Sequence, residues 1–122
     1  GAERNFCIVD AAMNDLMRPA MYGAWMTIVP CRRRDIQAVR CDVVGPICES
    51  GDWLGRDREL AVEAGDFIAV LSAGAYSMSM ASNYNTRGRA AEIMVSGDQA
   101  WLIRAREQAE ELFRNERLLP VG

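Results

Sequence analysis

A thiol and a carboxylate stand side by side at Cys48-Glu49, within Gly45-Pro46-Ile47-Cys48-Glu49-Ser50-Gly51-Asp52, a sharp break between two apolar runs. Glycine at 45 and 51 opens backbone angles that other residues avoid. Pro46 fixes its own φ and restricts Gly45, so the pair is expected at a defined angle. A cysteine of ordinary pKa, about 8.5, is mostly a neutral thiol near pH 7 and can give up a proton, and a neighbouring carboxylate favours that protonated form. The pattern suits a general acid better than a nucleophile. A plainer alternative stands beside it: free cysteine is among the most buried residue types, and Ile-Cys after a strand also reads as core. The chain has no histidine, so acid-base work near neutral pH falls to Cys, Glu, Asp or Tyr, or to a group the chain lacks.

Arg18 and Tyr22 form a second pair, spaced so that a helix running through Pro19 would put both on one face. There they would offer a planar guanidinium and a phenol to the same anion; otherwise Arg18 is solvated and Tyr22 half buried. Tyr76 stands in the run 72–87, dense in small side chains that let a backbone or ligand approach closely. It reads either as a ligand contact or as core packing.

These groups need elements to hold them. Apolar runs predict strands at residues 6–9, 25–29 (closed by Pro30), 39–44, 67–71, 91–95 and 99–103. In the third, Arg40 and Asp42 mark a polar side; the fourth looks buried on both faces. Residues 11–17 read as helical turns with Asp10 as N-cap, stopped or kinked by Pro19. Residues 57–60 read as polar connection, and the alternation through Met78 and Met80 is strand-like. Residues 104–116 are amphipathic, with Ala105, Ala109, Leu112 and Phe113 on one face, and predict a terminal helix packed on the strands. The expected architecture is mainly β: an antiparallel Greek-key barrel or sandwich, with a short helical segment near residues 11–22 and a C-terminal helix, in a single domain spanning 1–122.

Composition narrows the partners. The 122 residues are 50% hydrophobic with a formal net charge of −3, enough for one domain with a moderate core and unsuited to nucleic acid or an anionic membrane. Arg32-Arg33-Arg34, the single basic run, reads as a solvated loop. Cys7, Cys31, Cys41 and Cys48 have no Cys-x-x-Cys spacing and no histidine to join them, so no metal site is expected and the thiols read as reduced. The polar opening residues do not resemble a signal peptide, and no apolar run approaches membrane-spanning length. Both fit a reducing cytoplasm. A strand so near the first residue suggests that the segment continues a larger polypeptide.

Taken in order, Val9-Asp10-Ala11-Ala12-Met13-Asn14-Asp15-Leu16, Arg18-Pro19-Ala20-Met21-Tyr22, Val44-Gly45-Pro46-Ile47-Cys48-Glu49-Ser50-Gly51-Asp52, Gly65-Asp66, Ala73-Gly74-Ala75-Tyr76, Ser82-Asn83-Tyr84-Asn85, Ala91-Glu92 and Ile103-Arg104 form one pattern. Over nearly the whole chain it resembles the carboxy-terminal part of the diaminopimelate decarboxylase family, lyases of lysine biosynthesis in the pyridoxal 5'-phosphate group that includes ornithine decarboxylase and alanine racemase. The resemblance implies a homodimer whose subunits have an N-terminal (β/α)8 barrel, carrying the cofactor lysine, and a C-terminal β domain like this one. It implies that Cys48 reaches across the dimer interface to protonate the carbon that loses carbon dioxide, and that Glu49 holds the distal ammonium of the small-molecule substrate. Arg18 and Tyr22 would clamp the substrate's far carboxylate, and Tyr76 would lie near the cofactor phosphate or the substrate. The chain contains no lysine, so by itself it is expected to be inactive and without cofactor. Met26 stands where many relatives carry histidine. Two other readings remain: a relative acting on ornithine or arginine, and a noncatalytic dimerisation or packing domain.

Overall fold

In a computed structural model, which describes residues 3–122, the chain forms two units, one running to Ala81 and the other from Ser82 onward. The first holds β1 (Asn5–Ile8), α1 (Arg18–Tyr22), β2 (Ile28–Pro30), β3 (Val39–Val44), β4 (Trp53–Leu60) and β5 (Ile68–Val70). β3 lies between β1 and β4, while β2 pairs with β5. Strands pair antiparallel except β1 with β3, which run parallel from Asn5↔Cys41 to Ile8↔Val44. A parallel neighbour needs a crossover, and residues 9–38, including α1 and β2, supply it. The structure is mainly β and sandwich-like; among the described residues no sheet closes into a barrel.

β3 has the bounds expected of it, but its polar side is only half solvated, with Arg40 exposed and Asp42 buried. Cys41, Asp42 and Val43 are all buried. The Asp42 carboxyl accepts the Asp57 N–H at 2.9 Å and the Arg4 guanidinium at 3.5 Å. Leu16, Ile28, Cys41, Val43, Leu54 and Leu60 make the core, so Cys41 is a thiol that packs as a small apolar side chain.

Four of the expectations for this unit are corrected. Residues 57–60 are not a connection but half of β4, whose alternation is interrupted where Asp57 takes a positive φ of 53° beside a register shift between Cys41 and Val43. One extra residue at that bulge hides the period of two. The second strand is shorter than expected, covering only Ile28–Pro30. β5 is not buried on both faces of this chain, since Phe67 is 80% exposed and its strand residues only partly covered. Met78 and Met80 lie not in a strand but in the single-turn 3-10 helix Met78–Met80, which follows another at Gly74–Tyr76.

The second unit pairs β6 (Glu92–Ser96) with β7 (Gln99–Arg104) around Gly97, whose φ of 60° only glycine takes without strain. The Glu107 carboxyl accepts Nδ2 of Asn83 at 2.7 Å and the Arg89 N–H at 2.8 Å, and these bonds, the backbone N–H foremost, lower its pKa. The terminal helix spans Ala109–Phe113 (α2), with no buried residue, rather than 104–116. β7 takes the chain to Arg104, and Gln108 then caps the helix reciprocally with Glu111, which fixes the later start.

Candidate functional site

The loop after β3 turns its chemistry outward. Ile47 is buried at 6% exposure whereas Cys48 and Glu49 are exposed, so of the Ile-Cys pair isoleucine takes the core position and the sulfur stays accessible. Backbone bonds shape the turn: Gly45 N–H to the Asp52 carbonyl at 3.1 Å, Glu49 N–H to Ile47 at 2.8 Å, and Asp52 N–H to Glu49 at 3.0 Å. Gly45 and Gly51 do not use the left-handed angles expected of them. Gly45 supplies space instead: a Cβ there would lie 2.7 Å from the Ala11 carbonyl oxygen and 2.8 Å from Oδ1 of Asp52.

Asp52 is what the sequence reading missed. Only 3% exposed, it accepts the Ile47 N–H on Oδ2 and the Met13 N–H on Oδ1, each at 2.7 Å. One carboxyl thus ties the Cys48 loop to the segment preceding α1. No local pattern signalled it, since an Asp in a turn ordinarily bonds the backbone two residues onward, whereas Asp52 reaches back to Ile47 and to the distant Met13.

Residues 11–17 are turns rather than a helix, held by Ala12 N–H to Asp15 Oδ2 at 2.9 Å and Asp15 N–H to the Ala12 carbonyl at 2.9 Å. Asp15, not Asp10, makes that side-chain bond to the backbone. The helix begins where it was expected to stop. Pro19 sits in the first turn of α1, where a missing N–H costs nothing, and Gly23 closes the helix at φ 64°. Arg18 and Tyr22 therefore do share a helical face.

The structure adds Tyr76 to that pair. The Arg18 guanidinium carbon lies 5.4 Å from the Tyr22 ring centroid and 5.1 Å from that of Tyr76, within cation–π range of both. Ser77 Oγ donates to the Asp15 carbonyl at 2.9 Å, which fastens the Tyr76 turn to the segment leading into α1. Arg18, Trp25, Ser72 and Tyr76 border a cavity of about 300 Å³. Cys48 and Glu49 are not among its lining residues. Tyr22 is 62% and Tyr76 55% exposed, so both phenols are open to a ligand.

Trp25 is held from behind. Arg58, buried at 6% exposure, places its guanidinium 3.3 Å from the Trp25 ring centroid and donates Nη1 to the Met26 carbonyl at 2.6 Å. Burial lowers the pKa of this guanidinium. Met26 serves through its backbone and packs its side chain against the core.

Comparison with known proteins converges on one family. The profile described as "Pyridoxal-dependent decarboxylase, C-terminal sheet domain" matches residues 1–74. A diaminopimelate decarboxylase of Pseudomonas fluorescens is 61% identical over 117 residues, covering 96% of this chain and 28% of that protein. Among solved structures, an Aquifex aeolicus protein superposes with a TM-score of 0.91 at 46% identity, covering 94% of this chain and 29% of the other. Diaminopimelate decarboxylase from M. jannaschii in complex with L-lysine gives 0.90 at 43% identity, covering 94% and 26%. The chain thus spans about 28% of the length of the curated relative it matches. Its exposed thiol loop and its Arg-Tyr-Tyr cluster are features of a chain that belongs to the pyridoxal-dependent decarboxylases, as their C-terminal sheet domain.

Proposed function

We propose that residues 1–122 form the C-terminal domain of a diaminopimelate decarboxylase, a cytoplasmic homodimer that converts meso-diaminopimelate to L-lysine and carbon dioxide. The rest of each subunit is an N-terminal (β/α)8 barrel bearing the cofactor lysine. The observation that carries this reading is the convergence of Arg18, Tyr22 and Tyr76 from two separated segments. The names of the relatives favour the substrate.

The residues present fit a contact to pyridoxal phosphate but not its anchoring: Tyr76 offers an exposed phenol, while the chain has no lysine. When bound, the cofactor supplies the electron sink for loss of carbon dioxide. Arg18 takes the far carboxylate of the substrate with two parallel N–H donors, its guanidinium within cation–π range of both phenol rings. Cys48, exposed at the loop tip, returns a proton to the carbon that has lost carbon dioxide. Glu49 beside it holds the distal ammonium, a charge-assisted contact that a thiol cannot make. In the homodimer of this reading, Cys48 and Glu49 serve the partner subunit's pocket. The chain alone is inactive in this reading.

Carbon dioxide release by the complete enzyme from meso-diaminopimelate, ornithine and arginine tests the assignment. Release from diaminopimelate alone is expected. Preference for ornithine or arginine would replace the substrate, and release from none would favour a purely packing role, to which exposed Ile8 and Phe67 also point.

A further inference from the structure

We propose that Asp52 is the positioning residue that aims the Cys48-Glu49 pair, by fixing their loop to the segment that leads into Arg18. The proposal rests on the roles given above to Cys48 and Glu49. Its geometry stands apart from them: the two oxygens of one nearly buried carboxyl each take a backbone N–H at 2.7 Å, from Ile47 within the loop and from Met13 far away in sequence.

The division of labour follows from burial. Cys48, Glu49 and Ser50 are exposed and contribute nothing to the core, and Ile47 alone of the loop's tip is anchored by apolar contact. The turn's internal backbone bonds set its shape. The Asp52 carboxyl sets where that shape points, because it connects the turn to a different piece of chain. Gly45 keeps this connection possible, since any side chain there would occupy the space of the carboxyl. A second link runs from the same segment, through the Asp15 carbonyl, to Ser77 beside Tyr76. Residues 12–17 are therefore a common mount for both arms, and Asp52 is the bolt on the thiol side.

Asp52→Asn tests this in the complete enzyme, because it keeps the shape but turns one acceptor oxygen into a donor facing an N–H. Hydrogen exchange in peptides containing Met13 and Ile47 is expected to quicken at least about tenfold, with β3 and β4 amides unchanged. For meso-diaminopimelate, kcat is expected to fall about 10- to 100-fold, the scale of a reacting group displaced by about 1 Å. Cys48→Ala is run alongside. Unchanged exchange at Met13 and Ile47, or faster exchange with kcat within about twofold of normal while Cys48→Ala is crippled, overturns the positioning role alone. A Cys48→Ala enzyme with normal turnover overturns the proposed function and the positioning role with it. Should Asp52→Asn fail to fold, Asp52→Glu retains both acceptors one methylene further out and is read by the same two measurements.

Discussion

Three glycines that differ in surroundings separate close packing from backbone strain, and alanine at each gives a different expected cost. At Gly45 the new Cβ would stand 2.7 Å from the Ala11 carbonyl oxygen and 2.8 Å from Asp52 Oδ1, and closer still to Oδ2. Neither neighbour can yield cheaply: one is backbone, the other a carboxyl held by two N–H donors at 2.7 Å. Relief requires breaking one of those bonds, at about 1.5–3 kcal/mol for a hydrogen bond to a charged group, with overpacking strain in addition. Gly45→Ala is therefore expected to lower stability by about 2–4 kcal/mol. Gly23, at φ 64°, has no neighbour within 4 Å of its would-be Cβ, so Gly23→Ala carries only the left-handed backbone cost of about 1–2 kcal/mol. Gly74 has open space and no left-handed angle, and Gly74→Ala should be neutral or stabilise by up to about 1 kcal/mol through the unfolded chain. Urea unfolding of the three variants, followed by circular dichroism, reads the order directly. A Gly45→Ala protein as stable as Gly23→Ala would refute the argument that the Asp52 carboxyl is rigidly held.

Further expectations concern charge and chemistry. Cys48→Ala in the complete enzyme should lower turnover about a hundredfold or more, the scale of a lost general acid; near-normal turnover would remove Cys48 as proton donor. Arg18→Lys keeps the charge but loses the planar fork, so KM for diaminopimelate should rise about 10-fold or more, and an unchanged KM would dissociate Arg18 from the substrate. The Arg34 guanidinium holds Asp66 through two bonds, at 2.5 and 2.6 Å, and draws its carboxyl down to a pKa of about 2. A lowered folded-state pKa stabilises above the ordinary carboxylate value near 4, and that advantage disappears as pH falls through about 2. The stability gap between the native chain and Asp66→Asn should therefore be full at pH 6 and close near pH 2, on denaturant curves taken at each pH; a gap independent of pH would contradict the pairing.

How much of this could be read beforehand depended on whether the deciding contact was local. Val39–Val44 was legible to the residue because alternation and a Gly-Pro break are written in adjacent positions, and β6 and β7 were legible around Gly97 for the same reason. β4 was not. Its charged residues suggest solvent, and Arg58 is buried only because the Trp25 ring and the Met26 carbonyl, 32 positions earlier, receive it. Pro19 permits two opposite readings, a stop or a first turn; the Asp15 bond to Ala12, which closes a separate turn before it, selects the second. In the candidate site, spacing alone announced Arg18 with Tyr22. The arrival of Tyr76 at the same guanidinium depends on Ser77 reaching the Asp15 carbonyl, a contact between residues 62 positions apart that no local pattern encodes.

Cys48 and Glu49 are exposed on a turn, where apolar burial cannot hold them, since the core of this unit lies chiefly among its strands. Polar side chains inside the domain do that work instead. Asp52 at 3% exposure holds the thiol loop, and Arg58 at 6% holds Trp25 at the edge of the Arg18 cavity. Burying such groups is costly unless their hydrogen bonds are complete, and among the described residues no buried side-chain nitrogen or oxygen lacks a partner. A satisfied polar interior resists small displacements more steeply than an apolar one, because a shift of a few tenths of an ångström strands a donor rather than sliding a methyl group. Directional bonds to backbone N–H groups are thus the means by which a small sheet domain can present a thiol and a carboxylate at a fixed angle while leaving both uncovered.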